Sequence, residues 1–481
     1  MAPAQGTGEG RLLGRRLRGR EGFASLADFP ARPVAPPGGD ILLAQTRAEE
    51  EAMANAYEQL MDAELDAELA RLETQADETA AQGLKLDMAR GKPSPEQTAL
   101  SRPMLDLVSS STPLVDGDAI VDNYGTPEGL PSARRLAAQI LGVDAKNVVV
   151  SGSSSLNLMH DLVAHAFVHG VGGCEPLCRQ GEVKWLCPSP GYDRHFAVTA
   201  SFGIKNVPVP MGEDGPDMDL VQDLVEGDPT VKGIWCVPKY ANPTGVTYSD
   251  EVVRRFAGLR PAAPDFRIYW DNAYVVHCFE GRDDALLDIF AAIGKAGGSR
   301  LAYEFGSTAK VTFPSSGMAF VAADDEDIAE VRAAFAVERV SSEKFSQLAH
   351  PLFLHDLEGV REHMARHAAI VGPRFALVEQ KLQEGLGGMG LASWTHPHGG
   401  YFVSFDGPEG SARRIVALMG ELGVKLTPAG ATWPYGRDPR DSNIRIAPTY
   451  PSLEDLGRAL DVFVLAVRLV CARMEGERRA R

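Results

Sequence analysis

The chain has 481 residues, 44% of them hydrophobic and 23% charged, an ordinary composition for a globular protein with room for two or more domains. Its 48 Lys and Arg face 65 Asp and Glu, a net charge of −17. That excludes nucleic acid or an anionic membrane as the main partner, because both need clustered positive charge. The best apolar window, Val462–Cys471, is cut by Arg468, so no spanning helix is expected. Six cysteines are too few for a disulfide scaffold, and the Arg-rich stretch from Arg11 to Arg20 lacks the apolar core of a secretory signal. A cytoplasmic protein is expected.

Residues 1–44 are rich in Gly, Pro, Ala and Arg and are expected to be disordered, with Met53 as an alternative start. Thr46 to Ala81 contains no Pro or Gly and carries Met53, Tyr57, Leu60, Met61, Leu65, Leu69 and Leu72 at helical spacing, which predicts one long helix. With the arm that follows, it makes a segment 45–120 joined to the small domain. From 121 to about 355, short apolar runs alternate with helical stretches. The runs are Asn147–Val150, Trp185–Pro188, Val207–Pro210, Gly233–Val237, Arg267–Trp270, Leu301–Phe305 and Met318–Ala322. Between them, helices are expected at Ser132–Leu141, Leu156–Val168, Asp250–Leu259 and Ala285–Ala296. Short buried strands alternating with helices mean a mainly parallel seven-stranded sheet in a three-layer α/β/α domain, with its ligand at the carboxyl ends of the strands. Residues 356–481 read as a smaller α+β domain, with helices at Val360–Gln383, Ser411–Leu422 and Leu453–Arg473.

Four segments at predicted strand ends fit one cofactor together. Gly152, Ser153 and Ser154 precede a helix; alone they make an ordinary N-cap, but free N–H groups and the dipole also suit a phosphate. Ala241-Asn242-Pro-Thr-Gly245 is by itself a turn. Asp271, in Tyr269-Trp-Asp-Asn-Ala-Tyr274, ends an apolar strand, where a carboxylate is either paired or functional. Ser307-Thr-Ala-Lys310 follows the next strand and offers an amine that could be a surface cap or a nucleophile. Together they are what pyridoxal 5'-phosphate needs: a Schiff-base lysine, an Asp on the ring nitrogen, Asn and Tyr on the phenolic oxygen, and a Ser/Gly helix start for the phosphate.

The order of these segments resembles fold type I, class I/II aminotransferases, from about Leu84 to Val470. The resemblance implies Lys310, Asp271 and Tyr274 as catalytic residues, and Gly152, Ser153, Ser154, Asn242 and Ser307 on the cofactor. In Leu86-Asp-Met-Ala-Arg-Gly-Lys-Pro93 it puts Gly91 beside the substrate carboxylate. In Asp122-Asn-Tyr-Gly-Thr-Pro-Glu-Gly-Leu130 it implies that Tyr124 reaches a neighbouring subunit's cofactor phosphate, hence a homodimer with shared sites. In Pro188-Ser-Pro-Gly-Tyr-Asp-Arg194 it makes Tyr192 the aromatic stacked on the ring, and in Asn443-Ile-Arg-Ile-Ala-Pro448 it makes Arg445 the α-carboxylate ligand. The segments PGYDRHF, VPKYANPTG and TPAGAT look most like a bacterial branch of aspartate aminotransferases. The expected reaction is transamination between an acidic amino acid and a 2-oxo acid such as 2-oxoglutarate.

One departure stands out. The better-known branch clamps the phosphate with an arginine eight positions after the lysine; here that position is Met318, leaving Ser153, Ser154, Ser307 and Thr312 as local donors. Arg90, Lys239 and Arg437 are candidate cations for a substrate side-chain carboxylate. Another reaction on the same cofactor (C–S β-elimination or a cyclopropane-forming synthesis) is the alternative, since the broken bond depends on the substrate's angle. An aminotransferase-like regulatory domain would need a basic winged helix, where this chain has an acidic helix. His165, His169 and Cys174, Cys178 and Cys187 lack a CxxC pair, and no metal site is expected.

Overall fold

The computed structural model describes residues 55–279 and 281–481. A seven-stranded sheet runs Val148–Val150, Ala319–Ala322, Ala302–Ser307, Arg267–Asp271, Val231–Cys236, Lys184–Ser189, Lys205–Pro210 from edge to edge. Ala319–Ala322 is antiparallel to both neighbours, and every other pairing is parallel. The strands are apolar on both faces because helices cover both. Tyr303 and Phe305 join one core with Leu158, Leu162 and Phe196, while Ala302 joins another with Val253, Phe256 and Trp270. A further core under the sheet edge gathers Val148, Val150, Met318 and Phe320 against the helices Pro131–Leu141 and Lys344–Leu354.

The C-terminal part builds its own core. Helices Leu357–Leu386, Ala412–Glu421 and Leu453–Arg479 pack with a three-stranded antiparallel sheet, Ser393–Trp394, Val403–Asp406 and Asn443–Ile446. Leu65, Leu72 and Ala76 of the helix Asp62–Ala81 belong to the same core, and Leu86–Asp87 pairs in parallel with Val424–Lys425. The N-terminal arm is therefore stitched to the C-terminal core by both packing and backbone. None of the described helices is long and apolar enough to cross a membrane.

The seven expected strands are all present, and the differences lie at element ends. The long first helix begins at Asp62 rather than Thr46: Asn55 caps a short 3₁₀ turn at Ala56–Gln59, Leu60 and Met61 are extended, and the Glu64 carboxylate accepts from Met61 N–H at 2.8 Å. The helix expected at Ala285–Ala296 is Ile289–Lys295, because Asp288 caps it by accepting from Phe290 and Ala291 N–H. Helices at Asp193–Ser201, Met218–Gly227, Asp325–Glu338 and Lys344–Leu354 were not anticipated. The tail 1–44, Met53 and the segment 46–54 lie outside the described residues.

Candidate active site

A cleft opens at the carboxyl ends of the central strands, lined among others by Ser154, Tyr192, Asn242, Asp271, Tyr274, Ser307 and Lys310. Lys310 closes a 3₁₀ turn, Thr308–Lys310, directly after the strand Ala302–Ser307, and its Nζ lies 4.8 Å from the centre of the Tyr274 ring. Asp271 ends the neighbouring strand and is buried. Its Oδ2 accepts from His195 Nε2 at 3.0 Å, whereas its buried Oδ1 has no partner. A buried carboxylate oxygen without a donor is costly unless a ligand supplies one. Facing the cleft, it suits the protonated ring nitrogen of pyridoxal phosphate.

The phosphate end fits as well. The helix Ser155–His169 starts at N-cap Ser154 with no side chain capping it, so its first N–H groups and positive dipole end are available. Gly152 adopts φ +75°, a left-handed conformation that favours glycine. Ser307 Oγ donates to Ser153 carbonyl at 2.9 Å and accepts from Ala309 N–H, tying the loop to the lysine turn. Thr312 does not belong here: its hydroxyl is fully buried, donating to Thr308 carbonyl and meeting His350 at 2.9 Å. A threonine two positions beyond Lys310 on a tight turn points into the core, and Met318 is likewise fully buried among apolar side chains.

Arg445, the expected α-carboxylate ligand, is nearly buried on the strand Asn443–Ile446. Its Nη1 donates to Asp193 Oδ1 at 3.1 Å and to Asn242 Oδ1 at 3.3 Å, and Nη2 donates to Thr427 at 3.3 Å. The guanidinium lies over the Phe402 ring at 4.9 Å. Gly91 packs so closely on Phe402 that a Cβ would come within 2.3 Å of the ring, which requires glycine and brings the arm alongside Arg445. Arg445 Nε is buried without a partner.

Tyr192 lines the cleft with its ring edge-on to His195 at 4.9 Å, and burial pushes its phenol up to about 12. Tyr274 is fully buried and its phenol is raised further by burial. Tyr124 stands apart from this group, 79% exposed. Of the three candidate cations none lines the cleft: Arg90 and Arg437 are exposed, and Lys239 is bound to Asp283 at 2.5 Å.

Sequence reasoning missed His195, which stacks on Trp235 at 4.6 Å and backs Asp271. It lies three residues after Tyr192 on the unanticipated helix Asp193–Ser201, so helical spacing from Tyr192 was the available signal. It also missed Asp193, Thr427 and Phe402 around Arg445.

A lysine turn, a strand-end aspartate and an open helix start on a mainly parallel sheet define a fold type I pyridoxal-phosphate enzyme. The family model for aspartate amino-transferase matches residues 60–479, and the chain belongs to that family, making it a pyridoxal-phosphate-dependent aminotransferase. It is 39% identical over 397 residues to the aspartate aminotransferase of Corynebacterium glutamicum, covering 82% of this chain and 92% of that one. A Mycolicibacterium smegmatis protein bearing an aminotransferase name is 46% identical over 387 residues, 80% of this chain and 90% of the other. The crystal structure of an aspartate transaminase from Corynebacterium glutamicum superimposes with TM-score 0.85 at 37% identity, over 87% of this chain and 99% of that one.

Proposed function

We propose that this enzyme transfers the amino group of aspartate, or a similar acidic amino acid, to a 2-oxo acid such as 2-oxoglutarate. The carrying observation is the convergence of Lys310 and the unpartnered Asp271 oxygen on one cleft, lined also by Asn242, which accepts from Arg445 behind it. The acidic donor is supported by the 39% identity to a named aspartate aminotransferase.

In this reading Lys310 Nζ, Asp271, Asn242, Tyr274, Tyr192, Ser307, Ser153 and Ser154 with Gly152 hold the cofactor, which when bound supplies an electron sink. Asp271 Oδ1 would accept from the ring nitrogen, while His195 holds its other oxygen. Lys310 Nζ would act as general base and acid, holding and moving the proton taken from the substrate Cα. Arg445, with Asn242 and the Gly91 backbone nearby, orients the substrate through its α-carboxylate and so aligns the bond to be broken. A second copy of the chain, approached through Tyr124, would complete the phosphate contacts.

The test offers L-amino acids one at a time to the cofactor-loaded protein and follows the loss of visible absorbance and the 2-oxo acid formed. Aspartate and glutamate are expected to react fastest. Faster turnover of branched or aromatic amino acids would overturn the acidic-donor reading, and release of pyruvate with ammonia would indicate elimination instead.

A further inference from the structure

Arg445 is a buried cation whose surroundings are otherwise neutral: Asn242 and Thr427 offer dipoles, and Phe402 offers a ring face. Among the described residues, the carboxylate bonded to it is Asp193, at 3.1 Å, on the first turn of the helix Asp193–Ser201. The arginine side chain is 8% exposed and that of Asp193 33%, so the pair is only partly screened by solvent. The donors of the guanidinium are unevenly used. Nη1 has two acceptors, Nη2 one at the long end of the range, and the buried Nε none. On the Nε–Nη2 edge, Nε and one N–H of Nη2 are therefore unused, while Nη1 already holds an anion.

We propose that Asp193 is an internal counter-anion that competes with the substrate carboxylate for Arg445 and thereby sets the affinity of the site for amino and 2-oxo acids alike. This rests on the reading of Arg445 as the α-carboxylate ligand. A carboxylate docking on the Nε–Nη2 edge brings a second negative charge onto a guanidinium that Asp193 has already neutralised. Its attraction is reduced by the repulsion between the two anions. The effect acts on every carboxylate that visits the site, donor, acceptor and both products, so it weakens binding uniformly and eases product departure. It gives no discrimination between side chains. Asp193 thus acts through Arg445, as a residue that tunes binding rather than one that touches the reacting atoms.

The test uses cofactor-loaded protein and three variants: Asp193→Asn, which keeps an acceptor for Nη1 but removes the charge, Asp193→Ala, which removes both, and Arg445→Ala. Succinate, a dicarboxylate with no group that can react, is titrated calorimetrically, and KM and kcat are measured for the best donor and acceptor. Asp193→Asn is expected to tighten succinate and lower both KM values by about two- to fivefold, the range for one partly exposed ion pair, while kcat does not rise. Asp193→Ala should change succinate affinity in the same direction, with thermal melting confirming that it folds. Unchanged or weaker succinate binding in Asp193→Asn overturns the proposal. So does normal binding in Asp193→Asn alongside weaker binding in Asp193→Ala, since Asp193 would then merely position the arginine. If Arg445→Ala binds succinate as well as the parent does, the α-carboxylate assignment itself fails, whatever the Asp193 variants do.

Discussion

Asp271 is gripped on one oxygen and bare on the other, and this asymmetry makes its charge, more than its shape, testable. Asp271→Asn keeps the packing on His195 but loses the fixed negative charge. It is expected to lower kcat by about 10²–10³-fold, the range for removing one preorganised electrostatic partner, with less effect on KM. A near-normal single-turnover rate would make the aspartate structural. Lys310 is expected to be the one lysine fixed to the cofactor by borohydride, and Lys310→Ala should lose that adduct, as mass spectrometry of the digested protein would show. At Met318 the geometry is as informative as the chemistry. The side chain is fully buried in a core with Val148, Val150, Val311 and Phe320, and it does not line the cleft. Met318→Arg therefore supplies no phosphate clamp. It buries an unpaired charge at a cost of about 3–5 kcal/mol, read as a lowered melting temperature with no gain in cofactor retention on dialysis.

At the scale of elements, the turn that carries Lys310 is held from behind by histidines. His350 Nδ1 donates to Ser346 carbonyl at 2.7 Å, which leaves Nε2 to accept from Thr308 at 2.8 Å, and His363 reaches Val311 carbonyl at 2.9 Å. Burial pushes His350 down to about 4, and His277 and His367 to about 3, from an ordinary value near 6.5. These groups are neutral when folded, so unfolding takes up protons below pH 6.5, and stability is lost as pH falls from there towards the folded values. Glu304, buried beside Asn272 and raised to about 8, works the other way: it is protonated when folded, and stability declines as pH rises from its ordinary value near 4.5 to 8. The histidines outnumber the glutamate, so stability is expected to fall as pH drops below about 6.5 and to decline more gently as pH rises towards 8. Urea denaturation across pH measures this, and Glu304→Gln should weaken the decline between pH 7 and 8. None of this network was legible in the chain. The strands were, because Val148-Val149-Val150 or Ile268-Tyr-Trp270 are apolar on both faces and only a covered parallel sheet accepts that. The lysine, aspartate and asparagine segments were legible because they punctuate strand ends. His195, Asp193, His350 and His363 were not, since each acts through a partner 38 to 252 positions away that no local pattern announces.

For the whole molecule, Val115, Ile120 and Phe345 are among the described apolar side chains left exposed, and they gather around the Tyr124 loop. Val115 and Ile120 are cross-strand partners and about half exposed, and Phe345 follows Lys344, whose ammonium bonds Ile120, Asn123 and Gly125 carbonyls and so pins the Tyr124 loop. A pinned loop presenting a 79% exposed tyrosine amid exposed apolar residues is what a subunit contact requires. Sedimentation is expected to give a dimer. Mixing separately inactive Tyr124→Ala and Lys310→Ala chains should restore part of the activity if each site draws on both subunits; an active monomer would contradict the arrangement.

The strand order carries a further consequence for how the enzyme is made. Among the described residues, Val148–Val150, which leads into the Gly152–Ser154 loop, has Ala319–Ala322 as its sole neighbour in the sheet, and Arg445 comes later still. During vectorial synthesis the strand before the Gly152–Ser154 loop has no neighbour to join until residue 322 has left the ribosome. At about 5–20 residues per second that wait is on the order of ten seconds to half a minute. The nascent chain must keep an apolar strand unpaired for that interval, and cofactor capture is deferred until most of the polypeptide exists.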